Sequence, residues 1–205
     1  MRPLLPAYRV ATLCALLLVA AACGTSPPTR FYTLSPLPRP TEAITQERTV
    51  AIGIGPIELA AYVDRQEIVT RRGPNELGIS EFHLWAEPLD SNLSQVLVEN
   101  LSVLLSAEPV LLSPFPGSTP VDYRVPIKIL RLEGKLGGDA SLVARWSLSG
   151  EEGREVLPAR ESNFTEPTAG EGYEALVSAQ SRALGALSRE IAQAIRPVLQ
   201  ERNKR

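Results

Sequence analysis

The sequence predicts an α+β protein in which two amphipathic helices pack on one face of a mostly antiparallel sheet, as a two-layer sandwich. Three observations lead to this prediction. Short alternating or β-branched segments bounded by Gly, Pro and Asn are typical of strands, apolar residues recur at helical spacing in two places, and each of these helices follows a set of strands. Because helix and sheet each have one apolar face to bury, they are expected to cover each other.

The first 22 residues have the three-part layout of a secretory signal. Two arginines precede an apolar run over residues 10–22, which at 13 residues is shorter than the roughly 20 that a membrane-spanning helix needs. Cys23 follows three alanines, and this arrangement resembles a bacterial lipobox, in which the cysteine is lipidated and becomes the mature N-terminus. We therefore predict a signal peptide over residues 1–22, acyl chains on Cys23 and a tether over residues 23–29.

An anchor on Cys23 would hold the protein at a membrane without a spanning helix. Each buried methylene contributes about 0.8 kcal/mol, so two or three acyl chains make the attachment effectively permanent. Gly24 stands where an aspartate would retain an enterobacterial lipoprotein at the inner membrane. We therefore expect the periplasmic face of the outer membrane, and no cofactor besides this covalent lipid. The alternative is an ordinary signal peptide whose cysteine is incidental.

Residues 30–200 are predicted to form a single periplasmic domain that begins with two strands. Residues 30–34 are β-prone and favour a first edge strand. Residues 50–55 are rich in β-branched side chains, and Pro56 is expected to end that strand or to place it at a sheet edge, because proline cannot donate a backbone hydrogen bond.

A hairpin and a helix follow these strands. Residues 66–71 and 77–82 alternate between apolar and polar side chains, and the turn-forming sequence Gly73-Pro74-Asn75 lies between them, which is the pattern of a β-hairpin. Apolar side chains then recur at helical spacing, and the helix is predicted over residues 88–107 with Pro88 in its first turn.

The second half repeats the order of strands followed by a helix. Glycine turns separate the β segments, which predicts an antiparallel meander. The β segments cover residues 110–112, 122–134, 142–148 and 154–164. Within the longest of them, strict alternation would place Ile129 and Arg131 on the same face. An apolar stripe over residues 173–198 indicates the last helix, which Pro197 is expected to end or kink near Arg196.

Composition and motifs exclude several classes of function. The net charge is −2 and no block of like charge occurs, so we expect no nucleic-acid partner and no polybasic attraction to lipid. Cys14 lies in the signal and Cys23 would carry the lipid, so no disulfide is expected, and a single histidine without a carboxylate cluster does not predict a zinc site. Neither a nucleophile elbow nor a phosphate-binding glycine loop occurs. We therefore expect no catalytic residue, no metal site and no enzyme activity.

Side chains typical of protein interfaces are densest between residues 62 and 85. Tyr, Trp and Arg dominate the binding energy of such interfaces, so this segment predicts a partner or oligomer surface. The candidate surface consists of Tyr62, Asp64, Arg65, Arg71, His83 and Trp85. Two structural alternatives stay open, in which Trp85 fastens the next helix to the sheet and Asp64 caps a loop with its neighbour. His83 beside Glu81 or Glu87 is a candidate pH-sensitive pair.

A series of short motifs, taken in order, resembles one family. After the lipobox come Arg30-Phe-Tyr-Thr-Leu34, Ile54-Gly-Pro-Ile-Glu-Leu59, Tyr62-Val-Asp-Arg-Gln-Glu-Ile-Val-Thr-Arg71, Asn75-Glu-Leu77, His83-Leu-Trp-Ala-Glu-Pro-Leu89, Val98-Glu-Asn-Leu-Ser102 and Tyr173-Glu-Ala-Leu-Val177. This set is similar to the PqiC/YmbA family, the ABC-type transport auxiliary lipoproteins, over nearly the whole mature chain. The blocks over residues 64–69 and 85–89 are the most specific.

The resemblance implies a periplasmic domain tethered to the outer membrane that works with an MCE-type assembly. Such an assembly carries lipids between the two membranes of a Gram-negative envelope, and its ATPase is another subunit. The lipoprotein would dock the end of the transport tube, with an MCE-domain protein as partner and copies of itself as an oligomer. Two alternatives remain, a pilotin-like or structural lipoprotein that handles no lipid and a carrier that encloses an acyl chain itself.

Overall fold

The computed structural model describes residues 27–39, 50–105, 110–113, 121–150 and 153–202. The predicted signal peptide and Cys23 lie outside these residues. The elements are, in chain order, β1 (Arg30–Tyr32), β2 (Ile52–Leu59), β3 (Glu67–Gly73), β4 (Glu76–Trp85), α1 (Leu89–Leu105), β5 (Val110–Leu112), β6 (Tyr123–Gly134), β7 (Asp139–Ser149), β8 (Glu155–Pro167) and α2 (Tyr173–Arg202). Within the described ranges, neither helix is long and apolar enough to cross a membrane.

The strands form two mixed sheets. The larger has the order β5-β2-β6-β7-β8, in which β2 runs parallel to both β5 and β6, while β6, β7 and β8 form the predicted antiparallel meander. The smaller has the order β1-β4-β3, with β4 antiparallel to β3 and parallel to β1. The α+β class is confirmed. In the larger sheet, β3, β4 and α1 lie between β2 and its two parallel partners along the chain, and this long crossover lets the chain return to the same end of the sheet.

Both helices cover one face of the five-stranded sheet, as predicted. Helix α1 packs on β2 and β5, and α2 packs on β6, β7 and β8 and against α1. Alternate strand residues such as Ile52, Ile54 and Ile129 are buried with the apolar stripes of the helices. The opposite face carries solvated pairs, including Lys128 with Glu58, whose charged atoms are 3.0 Å apart.

The expectation that Pro56 ends its strand or places it at an edge was wrong. Strand β2 continues through Pro56 to Leu59 and lies between β5 and β6. Its register with β6 shifts between Ile54 and Ile57, so the proline occupies an irregular position in the ladder. Gly55 precedes it with a φ of 106° and a cis peptide bond to Pro56, a backbone conformation that glycine adopts without a Cβ clash.

The second helix and strand β6 also differ from the predicted pattern. Helix α2 runs through Pro197 to Arg202, because a proline near the end costs few backbone hydrogen bonds while the partly buried Val198 still packs on the core. In β6 the register with β7 shifts between Ile129 and Arg131. This irregularity places Arg131 in solvent and buries Leu132 instead.

Candidate docking surface around the N-terminal strand

Strand β1 forms one edge of the three-stranded sheet. It pairs with the end of β4, where Arg30, Phe31 and Tyr32 lie beside residues 83–85. Its other side has no strand neighbour in the described part of the chain. Phe31 is 65% exposed, the largest exposed fraction among the large hydrophobic residues described. Because the free edge of a sheet presents unpaired backbone N–H and C=O groups to which another molecule can bind, this strand is the first candidate for contact with something outside the domain.

An aromatic cluster joins β1, β4 and the start of α2. The His83 ring stacks on Tyr173, with centroids 3.9 Å apart and planes 12° from parallel, and its Nδ1 lies 2.7 Å from the Tyr32 hydroxyl. Burial and then the nearby Arg30 guanidinium lower the pKa of His83. The neutral ring is therefore favoured, and its Nδ1 shares a hydrogen bond with the Tyr32 hydroxyl. The suggested pairing of His83 with Glu81 or Glu87 was wrong, since the ring contacts Tyr32 and Tyr173 instead.

Residues 33–39, called here the N-terminal strap, lie along the groove between the two helices. The backbone N–H of Leu34 donates to Asn92 Oδ1 and that of Leu37 to Asn100 Oδ1, both at 2.7 Å. On the other side of the groove, the N–H of Ser35 donates to the Ser181 hydroxyl at 3.1 Å. The strap therefore completes its backbone hydrogen bonds with side chains of both helices rather than with a strand.

The two asparagines are themselves fixed by neighbouring groups. The Asn92 amide nitrogen donates to Thr33 and Glu87, and that of Asn100 donates to Ser188 on α2. Both asparagines are almost fully buried. Sequence reasoning missed this role, although Asn100 lies within the apolar stripe of α1, and a buried amide in such a stripe signals a specific polar partner.

Trp85 and Arg71, two of the six predicted surface residues, serve the interior instead. Trp85 is buried in the common core, which matches the structural alternative in which it fastens the sheet to the helix. Arg71 reaches from β3 to β6, where its Nε and Nη2 lie 2.8 Å and 2.5 Å from Glu133 Oε1. Glu133 is only 3% exposed, so this ion pair joins the two sheets across their contact.

Tyr62 lies half-buried in the turn between β2 and β3. Burial, and secondarily the Glu133 carboxylate, raise the pKa of Tyr62 to about 12, so its hydroxyl stays protonated throughout the physiological range. Asp64 is exposed beside it. Arg65 pairs with Glu67 at 2.9 Å, and both side chains are about a third exposed. Of the predicted set, Asp64 and Arg65 are therefore the charged residues most available to a partner.

An open cavity of about 300 Å³ lies between β1 and the first turns of α2. Phe31, Tyr32 and Val177 supply its apolar wall, while Glu174 and serine hydroxyls supply the polar one. This mixed lining and wide mouth do not form an enclosed site for an acyl chain. Among the residues that the structure describes, no three potential metal ligands come together.

Comparison with solved structures shows that the fold recurs. A crystal structure described only as that of an uncharacterized protein superposes with a TM-score of 0.68 at 20% sequence identity, covering 82% of this chain and 99% of its own. Protein XCC0632 from Xanthomonas campestris, of family DUF330, gives a TM-score of 0.66 at 19% identity and covers 86% and 100% of the two chains. No curated protein sequence matches the chain at a significant level.

The family model described as the ABC-type transport auxiliary lipoprotein component matches residues 32–192. The match includes β4, both helices apart from the end of α2, and the whole meander. It describes a membrane-anchored envelope protein that assists transport, and the family is not an enzyme family. The chain belongs to the ABC-type transport auxiliary lipoprotein family.

Proposed function

We propose that the protein is an outer-membrane lipoprotein, attached through acyl chains on Cys23, that docks an MCE-type lipid transport assembly on the periplasmic side. The observation that carries this proposal is the family match over residues 32–192. The lipobox-like sequence ending at Cys23 supports the anchor, and Gly24 after it supports the outer membrane. In this role the protein holds a partner in place and supports envelope integrity, and the energy for transport comes from a separate ATPase.

The three-stranded sheet is the surface that we propose for docking. It presents Asp64 and Arg65 at the turn before β3 and the 48% exposed Ile79 on β4. A mixture of charge and exposed aliphatic surface suits a partner of limited size, with the apolar residue giving affinity and the charges giving orientation. Copies of this chain in an oligomer and an MCE-domain protein both qualify as partners.

Charge reversal at Arg65 tests this docking surface. We expect Arg65→Glu to reduce co-purification of the MCE-domain protein from detergent-solubilised envelopes, or to shift the mass of the oligomer. Arg145→Glu is the matched control, because Arg145 pairs with Glu161 at the same 2.9 Å on the opposite face of the larger sheet. Arg71 is unsuitable, since its reversal would disrupt the Glu133 ion pair and destabilise the domain. Equal recovery of partner and oligomer with both variants would contradict the proposed surface.

The anchor and its location need a separate experiment. Intact-mass analysis of the protein purified from its native envelope should show loss of residues 1–22 and acyl chains on Cys23, and density-gradient fractionation should place it with outer-membrane markers. An unmodified thiol at Cys23, or co-fractionation with the inner membrane, would overturn this part of the proposal.

A further inference from the structure

We propose that the exposed end of β1, formed by Arg30 and Phe31, lies in the phospholipid headgroup layer beside the lipid anchor. This inference rests on the proposed acylation of Cys23 and adds a second, non-covalent membrane contact made by the folded domain. The contact would fix which side of the domain faces the bilayer and which side faces the periplasm.

The length of the tether limits how the domain can turn. Seven residue steps separate Cys23 from Arg30, and a fully extended chain of that length spans at most about 25 Å. A folded domain of this size has a diameter of about 40 Å, from its expected radius of gyration. The tether is therefore too short to reach around the domain, so the side that carries β1 cannot face away from the bilayer.

The strap fixes where the tether leaves the domain. Hydrogen bonds from Leu34 to Asn92 and from Leu37 to Asn100 hold the chain immediately after β1, and three register pairs with β4 hold β1 itself. The chain therefore cannot peel away to lengthen the tether without breaking contacts with both helices. Tension from the anchor acts on residues 27–29, directly beside Arg30.

The side chains at this end suit the interface between headgroups and acyl chains. Phe31 is 65% exposed, so most of its ring is available for insertion. Arg30 precedes Phe31 in β1 and is also exposed. Successive strand side chains point to opposite faces of the sheet, so both reach the bilayer when this end of the strand approaches it, and the guanidinium can then pair with lipid phosphates. An aromatic ring next to a cation is a combination found where peripheral proteins contact membranes.

A single-thiol label tests the contact on the acylated full-length mature protein. The mature chain contains no cysteine other than Cys23, so Phe31→Cys introduces one free thiol for an environment-sensitive nitrobenzoxadiazole probe. The matched control is Leu112→Cys, an aliphatic residue that is 40% exposed on β5, at the edge of the other sheet. Each protein is reconstituted into vesicles of phosphatidylethanolamine and phosphatidylglycerol after its acylation has been verified by mass.

We expect the probe at position 31 to show blue-shifted emission and to lose its reactivity toward aqueous dithionite, while the probe at position 112 stays in water and reacts. Equal reactivity at the two positions in verified acylated protein would overturn this inference and leave the proposed function intact. Protection at position 31 only after a partner protein is added would also overturn it, in favour of a protein contact. A mass that shows no acylation would count against the proposed function itself.

Discussion

At the scale of single residues, the contact between Arg71 and Glu133 explains how a carboxylate is accommodated in the core. Glu133 lies near the end of β6, where the shifted register buries it, and two guanidinium nitrogens of Arg71 bind one of its oxygens. Arg131 adds a longer contact of 3.7 Å. Burying a charge is unfavourable unless it is paired, so the arginine is required once the glutamate is inside.

Removal of Arg71 should therefore destabilise the domain. We expect Arg71→Ala to lower the free energy of unfolding by about 2–3 kcal/mol in urea titrations, because Glu133 would remain buried without its strongest partner. Arg71 is itself about one-third exposed, and solvent screening keeps the effect below that of a fully buried pair. Arg145→Ala at the exposed pair is the control and should cost less than about 1 kcal/mol. A similar loss in both variants would contradict the assigned role of Arg71.

His83 should make stability depend on pH. Burial and then the Arg30 guanidinium lower the pKa of His83 in the folded protein. Below the ordinary histidine pKa of about 6.5, the unfolded chain therefore binds a proton more readily than the folded protein does. Stability is therefore expected to be full above that value and to fall as the pH drops below it. Since His83 is the only histidine, one imidazole resonance reports its titration directly by NMR.

Replacement of the ring supplies the control for this titration. His83→Gln should flatten the pH dependence of unfolding between about pH 7.5 and pH 5.5, the range around the unperturbed histidine pKa. A folded-state His83 pKa above 6.5, or the same pH dependence in wild type and variant, would contradict this assignment.

At the scale of elements, the strap shows how a proline-bearing segment without regular structure becomes ordered. Its prolines prevent it from joining a sheet, so its free N–H groups need acceptors. Asn92 and Asn100 are two helical turns apart on α1, and their side-chain oxygens accept hydrogen bonds from the backbone N–H groups of the strap. Gly185 on α2 leaves space for Leu37, whose Cδ2 would lie 2.8 Å from a Cβ at that position.

Loss of either asparagine should loosen the strap. We expect Asn100→Ala to lower the free energy of unfolding by about 1–2 kcal/mol, because the Leu37 N–H and the Ser188 hydroxyl each lose a partner in a largely buried site. Limited proteolysis should cut residues 33–39 faster in this variant. Gln95→Ala, at an exposed position of the same helix, is the control and should leave both measurements unchanged. Unaltered cleavage in Asn100→Ala would show that the strap is held by other contacts.

Whole elements were easier to predict than their ends and irregularities. The two helices, the hairpin β3–β4 and the meander β6–β8 follow from hydrophobic periodicity and turn residues, since both are local properties of the chain. The continuation of β2 through Pro56 and of α2 through Pro197 does not follow from these local properties. Each depends on a neighbouring strand or on core packing that compensates locally for the proline, and a sequence pattern does not contain that information.

At the scale of the whole molecule, both sheets share one hydrophobic core. Trp85 from the three-stranded sheet and Trp146 from the five-stranded sheet are both buried in it. Strand β3 also packs against β6, where the Arg71–Glu133 ion pair crosses between the sheets. A shared core of this kind makes independent unfolding of either sheet unfavourable, because each would expose the other's apolar face.

Unfolding should therefore be a single cooperative transition. The two tryptophans provide one fluorescence probe in each sheet, since the chain has no others. We expect Trp85→Phe, which reports through Trp146, and Trp146→Phe, which reports through Trp85, each to show a fluorescence transition in urea that coincides with the loss of its own far-UV circular dichroism. Each variant is thus its own control for altered stability. A fluorescence midpoint in Trp146→Phe clearly below its circular dichroism midpoint would show that the smaller sheet unfolds on its own.

At the candidate docking surface, the residue types in the sequence did not show which side chains are accessible to a partner. The density of Tyr, Trp and Arg between residues 62 and 85 directed attention to the smaller sheet, and Asp64 and Arg65 are indeed accessible there. Trp85 and Arg71 are equally interface-prone by type, but Trp85 is buried in the core and the Arg71 guanidinium is held by Glu133. Phe31 was named only within a family motif, and its exposure emerged from the position of β1 at the sheet edge.

The sequence by itself determined the α+β class, the positions of the helices, the meander and the likeness to transport auxiliary lipoproteins. Each of these depends on periodicity, turn residues or short motifs, which are properties of residues close together in the chain. Only the tertiary structure decided that the strands divide into two mixed sheets, that the strap lies between the helices and that Glu133 is buried with Arg71. These features depend on contacts between residues far apart in the chain. Such contacts arise from how whole faces pack, which no local pattern specifies.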